Sequence, residues 1–220
     1  VRVSSVVDAR TEPHAAVVEE AARIIQSGGT VIFPTDTVYG IGCDPFNAQA
    51  VGNIYGSKNR PAHKPLSFHV ATVAEFVEYL PGRPDLANLV RRLMPGPVTV
   101  IVGKPAFVPD DVTAGLRTLG FRVPDDSLCR LLLERCGPLA VTSANISGEY
   151  AYDGEGNFET LPDADLLIEN GPTKHRRDST VIDMTGSQPV VLREGVVSLE
   201  RLSELLGSSV RPVRASHTQR

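Results

Sequence analysis

The stretch GGTVIFPTDTVYGIG, residues 28–42, opens on two glycines, passes through a short apolar run and continues into a hydroxyl-rich loop. The glycine pair stops a helix whose apolar positions Val17, Ala21, Ile24 and Ile25 fall on one face. Residues 31–33 then read as a short buried strand, and PTDTVYG, residues 34–40, follows directly. A helix, a buried strand and a polar loop at the strand's end are the repeating parts of an α/β sheet. In such sheets, hydroxyls and free backbone N–H groups at strand ends face a crevice where ligands collect.

The same parts recur along the chain. Asn47 is placed to cap a helix carrying Val51, Ile54 and Tyr55, which ends where Pro61 and Pro65 forbid continuation. Leu66, Phe68 and Val70 alternate with polar residues, as a strand does. Thr72 with Glu75 forms a capping box for a helix through Phe76, Val77 and Leu80, and Leu86, Leu89, Val90 and Leu93 mark another. Further strands are expected at 98–102, 120–123, 139–142, 180–183 and 189–193, and further helices at 126–136 and 199–206. The gap from 183 to 190 is of hairpin length, so some neighbours are antiparallel. The predicted fold is α/β, of the α+β type. It is a single domain over residues 1–207, an open, twisted, mixed parallel and antiparallel sheet flanked by helices. Residues 149–162 lack periodicity and read as a mobile surface loop, and 208–220 as a disordered basic tail.

Composition narrows the function. With 22 Lys and Arg against 26 Asp and Glu the net charge is −4, which excludes a protein that coats nucleic acid by bulk charge. No apolar run approaches the ~18 residues of a membrane span and no secretory signal is present, so a soluble, cytoplasmic chain without membrane contact is expected. Three cysteines without a C-x-x-C pair indicate neither a disulfide framework nor a zinc cluster. Cys129 and Cys136 are expected to be core thiols in the helix over 126–136. Scattered histidines give no metal-binding spacing, and no metal ligands are assigned.

Between Asp44 and Glu75 there is no acid, while Lys58, Arg60, His63 and Lys64 crowd around two prolines. Unit charges ~4 Å apart interact by ~4 kcal/mol when partly screened, so cations converging on a pocket call for a polyanion, whereas a solvated turn needs none. On this segment alone the solvated turn is the better reading. Two other polar segments follow strands or lead into one: TSANISG at 142–148 and KHRRDSTV at 174–181. Arg122 and Arg193 end strand-like runs, where each either offers a guanidinium fork to phosphate or carboxylate or pairs with the nearby Asp125 or Glu194. A Walker-type phosphate loop, a G-x-G-x-x-G fingerprint and a G-x-S-x-G elbow are all missing.

In order along the chain stand GGTVIFPTDTVYGIG, Lys58-x-Arg60 with KPL at 64–66, PGPVT at 95–99, FRVPD at 121–125, TSANISG, STV and LREG. This series resembles the YrdC family of threonylcarbamoyl-AMP synthases over nearly the whole folded chain, with K-x-R and S-x-N as its hallmark. The resemblance implies a YrdC-like sheet with a basic concave crevice. It also implies a nucleotidyltransferase that joins L-threonine, bicarbonate or CO2, and ATP into threonylcarbamoyl-adenylate and pyrophosphate. The product then serves the modification of an adenosine beside the tRNA anticodon. Magnesium would accompany ATP with few direct protein ligands.

By resemblance, Lys58 and Arg60 are catalytic and contact phosphates; Ser143, Asn145 and Arg193 bind ATP; and Thr35, Ser67, Arg122, Thr142 and Ser179 hold threonine. A downstream threonylcarbamoyl transferase and tRNA contact are the further partners implied. Longer members carry a second domain over the site, so the loop 149–162 or the tail is expected to act as lid. Asp178, an acid before Ser179, either points outward and pairs with Arg176 or Arg177, or points inward and places an acid at the proposed anion site, which would put the assignment of Ser179 in question. Two alternatives stay open: an RNA-binding module without catalysis, and a paralogue with another acceptor, as in hydrogenase-maturation carbamoyltransferases.

Overall fold

The computed structural model describes residues 3–80, 83–156, 158 and 161–212. Its strands are β1 (Val3–Asp8), β2 (Val31–Phe33), β3 (Gly40–Cys43), β4 (Ser67–His69), β5 (Val98–Gly103), β6 (Thr118–Arg122), β7 (Leu139–Ser143), β8 (Ala164–Glu169), β9 (Thr180–Asp183), β10 (Val190–Arg193) and β11 (Arg211–Pro212). The helices are α1 (His14–Gln26), α2 (Ala48–Ser57), α3 (Val73–Glu78), α4 (Pro84–Leu93), α5 (Asp110–Thr113), α6 (Ser127–Cys136) and α7 (Leu199–Leu206). All the described strands join one sheet in the order β1-β8-β2-β3-β7-β4-β6-β5-β9-β10-β11. Parallel pairs such as β4 with β6 and β5 with β9 alternate with antiparallel ones such as β5 with β6 and β9 with β10, so the expected mixed sheet is what forms.

Successive side chains on a strand point to opposite faces, and this divides the interior in two. On β2, Ile32 joins one apolar cluster while Val31 and Phe33 join the other; on β7, Ala140 and Val141 divide the same way. The first cluster is covered by Ile54 of α2, Phe76 of α3, Val90 of α4 and Leu202 of α7. The second is covered by α1, through Val17, Ala21 and Ile25, and by α6, through Leu128, Leu132 and Leu133. This second cover packs on strands from the β1 half of the sheet, where Val31, Phe33, Val141, Leu166 and Ile168 meet it.

Past β7 that face is left to a cavity. Ser67 pairs with Val141 and with Gly120, Gly120 pairs with Ile101, and Thr99 pairs with Val181. All of these line the cavity. Between Gly120 and Arg122, Phe121 points the other way, 4.6 Å from the ring of Phe76 in a stacked arrangement and 5.7 Å from Phe68 edge-on. Aromatic pairs of this kind add ~0.5–1.5 kcal/mol each beyond area burial, and here they fix β6 from behind.

The caps read from sequence are present: Asn47 accepts from Ala50 N, Thr72 from Glu75 N, and Gly207 ends α7 in the left-handed conformation. Four strands and one helix were not foreseen. β3 is built on Gly40 and Gly42, residues that argue against a strand in isolation; a Cβ on Gly42 would lie 2.9 Å from the Phe33 ring, so close packing explains the glycine. β1 and β11 carry exposed polar residues, and α5 is a single turn.

Three expectations need correction. Cys129 is buried, but Cys136 at the last turn of α6 is only half-buried. The loop 149–162 is anchored at two points and is a surface loop elsewhere where it is described: Tyr152 is buried with its ring 4.9 Å from that of Tyr39 and Leu161 is buried too, whereas Tyr150 and Phe158 are exposed. The tail's first residues are ordered against the sheet, with Val210 buried and Arg211 and Pro212 paired to Val190 and Val191. The rest of the predicted tail, 213–220, lies outside the described residues.

Candidate active site

The open half of the sheet bears a cavity of about 240 Å3. Its floor comes from alternate residues of four strands: Ser67 and His69, Gly120 and Arg122, Thr99 and Ile101, and Val181. Its walls come from the polar segments that follow or flank the strands. These supply Thr35 and Thr37 after β2, Arg60 and Pro65 from the basic turn, Thr142 and Ser143 at the end of β7, Asp178 and Ser179 before β9, and Arg193 at the end of β10. Segments far apart in the chain thus meet because the sheet order places their strands side by side.

Arg122 is buried and fully oriented. Its Nε donates to Gly96 O at 3.2 Å, one terminal nitrogen to Thr37 Oγ1 at 2.7 Å, and the other to Asp36 Oδ1 at 2.5 Å. The partner is therefore Asp36, not the neighbouring Asp125, which pairs with Lys174. A guanidinium carries more N–H groups than these bonds use, so donors remain for a ligand. Asp36 Oδ2, buried, has no hydrogen-bond partner. Thr35 Oγ1 donates to Val38 O at 2.6 Å and accepts from Thr37 N at 3.1 Å, which ties the PTDT loop into a fixed turn.

On the opposite wall, Arg193 donates to Ser179 O through Nε at 3.2 Å and through a terminal nitrogen at 2.9 Å. Ser179 Oγ lies 2.9 Å from Thr99 Oγ1. Asp178 does not turn outward to Arg176 or Arg177. It lines the cavity and sits 3.6 Å from Arg193, while Arg176 pairs with Asp153 and Glu155. Arg193 likewise pairs with Asp178 and not Glu194. Arg60 is held by Lys64 O at 3.0 Å and Pro65 O at 2.7 Å, and burial pushes its pKa down.

Two of the expected ATP ligands are placed differently. Lys58 is buried, not on a solvated polar turn. Its ammonium donates to Ser143 O at 2.5 Å, to Asn145 O, and to Asn145 Oδ1 at 3.3 Å, while its own carbonyl accepts from Ser147 N at 2.9 Å. Burial, followed by the charge of Arg60, lowers its pKa to about 7. Asn145 is used within its own turn: Oδ1 accepts from Ser143 Oγ at 2.6 Å, and Nδ2 donates to Ile146 O and Glu149 O, each at 2.9 Å. Neither residue lines the cavity, whereas Arg60, Ser143, Arg193, Thr35, Ser67, Arg122, Thr142 and Ser179 all do. The K-x-R and S-x-N segments are therefore joined, with Lys58 as the tie and Arg60 and Ser143 facing the space.

The site also contains residues that sequence reading passed over. His69 is buried beside Arg122 across the β4–β6 pairing, and its Nδ1 has no hydrogen-bond partner. Burial and the Arg122 charge hold its pKa well below 6.5, so it is neutral. The only sequence signal for it was its alternation with Ser67 along β4, which puts both on the polar face. Asp36 and Thr37 lie in the loop 34–40 and Thr99 in the segment 95–99, both singled out from sequence, but neither segment told which of its residues face the site. Their roles come from pairing across long chain separations. Among the described residues no cluster of three or more His, Cys, Asp or Glu could hold a metal ion.

Comparison with known proteins fits this geometry. The family model Sua5_yciO_yrdC, described as telomere recombination, matches residues 23–195. A threonylcarbamoyl-AMP synthase of Pyrococcus abyssi is 36% identical over 197 residues, 85% of this chain and 56% of that protein. The chain thus spans little more than half the length of that relative. A putative threonylcarbamoyl-AMP synthase of Mycobacterium tuberculosis is 36% identical over 85% of this chain and 88% of its own. The crystal structure of P. abyssi Sua5 complexed with L-threonine superposes with a TM-score of 0.83 at 32% identity, covering 100% of this chain and 66% of that one. A superposable fold, relatives above 30% identity and a family match over residues 23–195 lead to one assignment: the chain belongs to the Sua5/YciO/YrdC family.

Proposed function

We propose that the chain is a threonylcarbamoyl-AMP synthase. The observation that carries this reading is the convergence of Arg60, Arg122 and Arg193 on one cavity lined with Thr35, Thr37, Ser67, Thr99, Ser143 and Ser179. In the proposed reaction the threonine nitrogen bonds to the carbon of CO2, or of bicarbonate with loss of water, and releases protons to solvent. A carbamate oxygen then bonds to the α-phosphorus of ATP as the bond to the bridging oxygen breaks, and pyrophosphate leaves with the electron pair.

Both partners in the second step are anions, so repulsion is the obstacle and fixed positive charge is the remedy. Arg122, aimed by Asp36, Thr37 and Gly96, offers its remaining N–H groups to the threonine carboxylate. His69, neutral and buried beside Arg122, adds no competing charge to that pocket. Arg60 and Arg193 face the phosphates, and Ser143 borders the nucleotide side. Because the three guanidinium groups are held by protein oxygens before substrate arrives, little reorganisation is left for the reaction itself. Among the described residues, the only carboxylate in the cavity lining is Asp178, already beside Arg193, so the residues suit magnesium carried on phosphate oxygens and water better than a protein cage. No step here depends on that ion.

The chemistry belongs in the cytoplasm with tRNA, and the adenylate passes to a transferase that modifies it. Among the described residues no helix is long and apolar enough to cross a membrane. The test is pyrophosphate release from ATP, magnesium and bicarbonate with and without threonine. Release that depends on threonine and falls at least a hundredfold in Arg60→Ala supports the reading; release indifferent to threonine defeats it. Arg60→Ala is the cleaner variant, because Lys58→Ala also removes the ties on the turn at 143–147.

A further inference from the structure

Gly120 lies in the middle of β6 with Ser67 on one side and Ile101 on the other. Its φ is outside the left-handed region, so backbone conformation does not call for glycine there. Packing bears on the position through one side chain: the Thr99 methyl would have to give by a few tenths of an ångström to admit a Cβ, while the other two neighbours stand at ordinary contact distance. A Cβ built on Gly120 would meet Thr99 Cγ2 at 3.1 Å, Ser67 Cβ at 3.5 Å and Ile101 Cγ1 at 3.9 Å, and all three residues face the cavity. Glycine in a strand interior is destabilising and, where no turn or bulge requires it, often marks a site that a ligand or another backbone approaches closely; Gly120 is itself partly exposed to the cavity. The missing side chain leaves a recess in the cavity floor. Its rim is methyl and methylene from Thr99, Ile101 and Ser67, and the Thr99–Ser179 hydroxyl pair stands at its edge. Arg122, two residues further along the same strand, points to the same face.

We infer that Gly120 sets amino-acid specificity: the bare Cα receives the β-methyl of the substrate, and the Thr99–Ser179 pair meets its hydroxyl, while Arg122 holds the carboxylate. This rests on the proposed function and adds how threonine is told from serine, which lacks only that methyl. One methyl group in an apolar recess is worth ~10-fold or more in kcat/KM.

The experiment is steady-state pyrophosphate release for wild type and Gly120→Ala with threonine and with serine, each at saturating and at varied ATP. The inference expects wild type to prefer threonine and the alanine variant to lose about tenfold of that preference, through a raised KM for threonine, with the KM for ATP within about twofold. A second variant, Gly120→Ala with Thr99→Ser, removes the Cγ2 that the new methyl would press. It keeps the recess filled, so the lost preference must persist. Recovery of the preference in the double variant would trace the effect to strain on Thr99 and overturn the inference. An unchanged threonine-to-serine ratio in the alanine variant, or parallel rises in both KM values, would overturn it as well. Should the single variant fail to fold, the double variant is read in its place. Wild type that shows no threonine-dependent release would overturn the proposed function itself, a different outcome from an active enzyme whose ratio does not move.

Discussion

At the scale of single residues, the pair Asp36 and Arg122 carries the most consequence for the least sequence signal. Both groups are buried, and each charge is tolerable because the other is 2.5 Å away. In Asp36→Asn the guanidinium stays buried without its counter-charge, so urea unfolding should show a loss of about 3 kcal/mol, and the KM for threonine should rise as Arg122 loses its aim. A variant as stable as wild type would show that the pair is not what holds this corner. His69 gives a pH effect with a fixed sign. Its folded pKa is held well below 6.5, so between that value and the folded pKa the unfolded chain binds a proton that the folded one does not. Stability therefore falls on acidification below about pH 6.5, by up to about 1.4 kcal/mol per pH unit from this group. In His69→Gln that component should vanish from the stability-versus-pH slope. Sequence reading named Arg122 and its strand-end position, but left it between a ligand's anionic group and the nearby Asp125. A partner 86 residues away is set by sheet order, which local pattern does not contain.

At the scale of elements, the turn after β10 shows how a motif works through packing. The backbone of Gly195 lies against the start of β9: its N–H donates to Thr180 Oγ1 at 2.9 Å, and Val196 N donates to Asp178 O at 3.0 Å. A Cβ on Gly195 would come within 2.2 Å of Asp178 O and 2.5 Å of Ser179 C, both backbone, which has no rotamer to yield. Gly195→Ala must therefore push β10 and β9 apart, costing about 1–3 kcal/mol and moving Arg193 off Ser179. The expected kinetic signature is a raised KM for ATP with threonine KM nearly unchanged, measured in the pyrophosphate assay. Equal effects on both substrates would mean that Arg193 serves the site as a whole. Elements with strong periodicity, such as α1, α6 and β5, were legible because their apolar spacing repeats. β3 was not, because its glycines answer to Phe33 and Val141 on neighbouring strands and carry no period of their own.

At the scale of the whole molecule, the crevice is a consequence of unequal cover. One face of the sheet is roofed by α2, α3, α4 and α7, whereas α1 and α6 roof the other face only near β8, β2, β3 and β7. A sheet face left open at β4, β6, β5 and β9 has to be polar or filled, and its residues Ser67, His69, Arg122 and Thr99 make it polar. Ligands should therefore stabilise the molecule from this side alone. At about a hundred times their dissociation constants, ATP or threonine add about 2.7 kcal/mol, which for a chain of this size raises Tm by roughly 5–10 °C. Amide exchange should slow in β4, β5, β6, β9 and the loop at 34–40, where backbone is next to the cavity. It should remain unchanged in β1 and on the outer faces of α1 and α6, which lie beyond it. Protection spread evenly over the chain would mean that binding tightens the fold globally, and the division of the sheet into a closed half and a working half would lose its functional meaning.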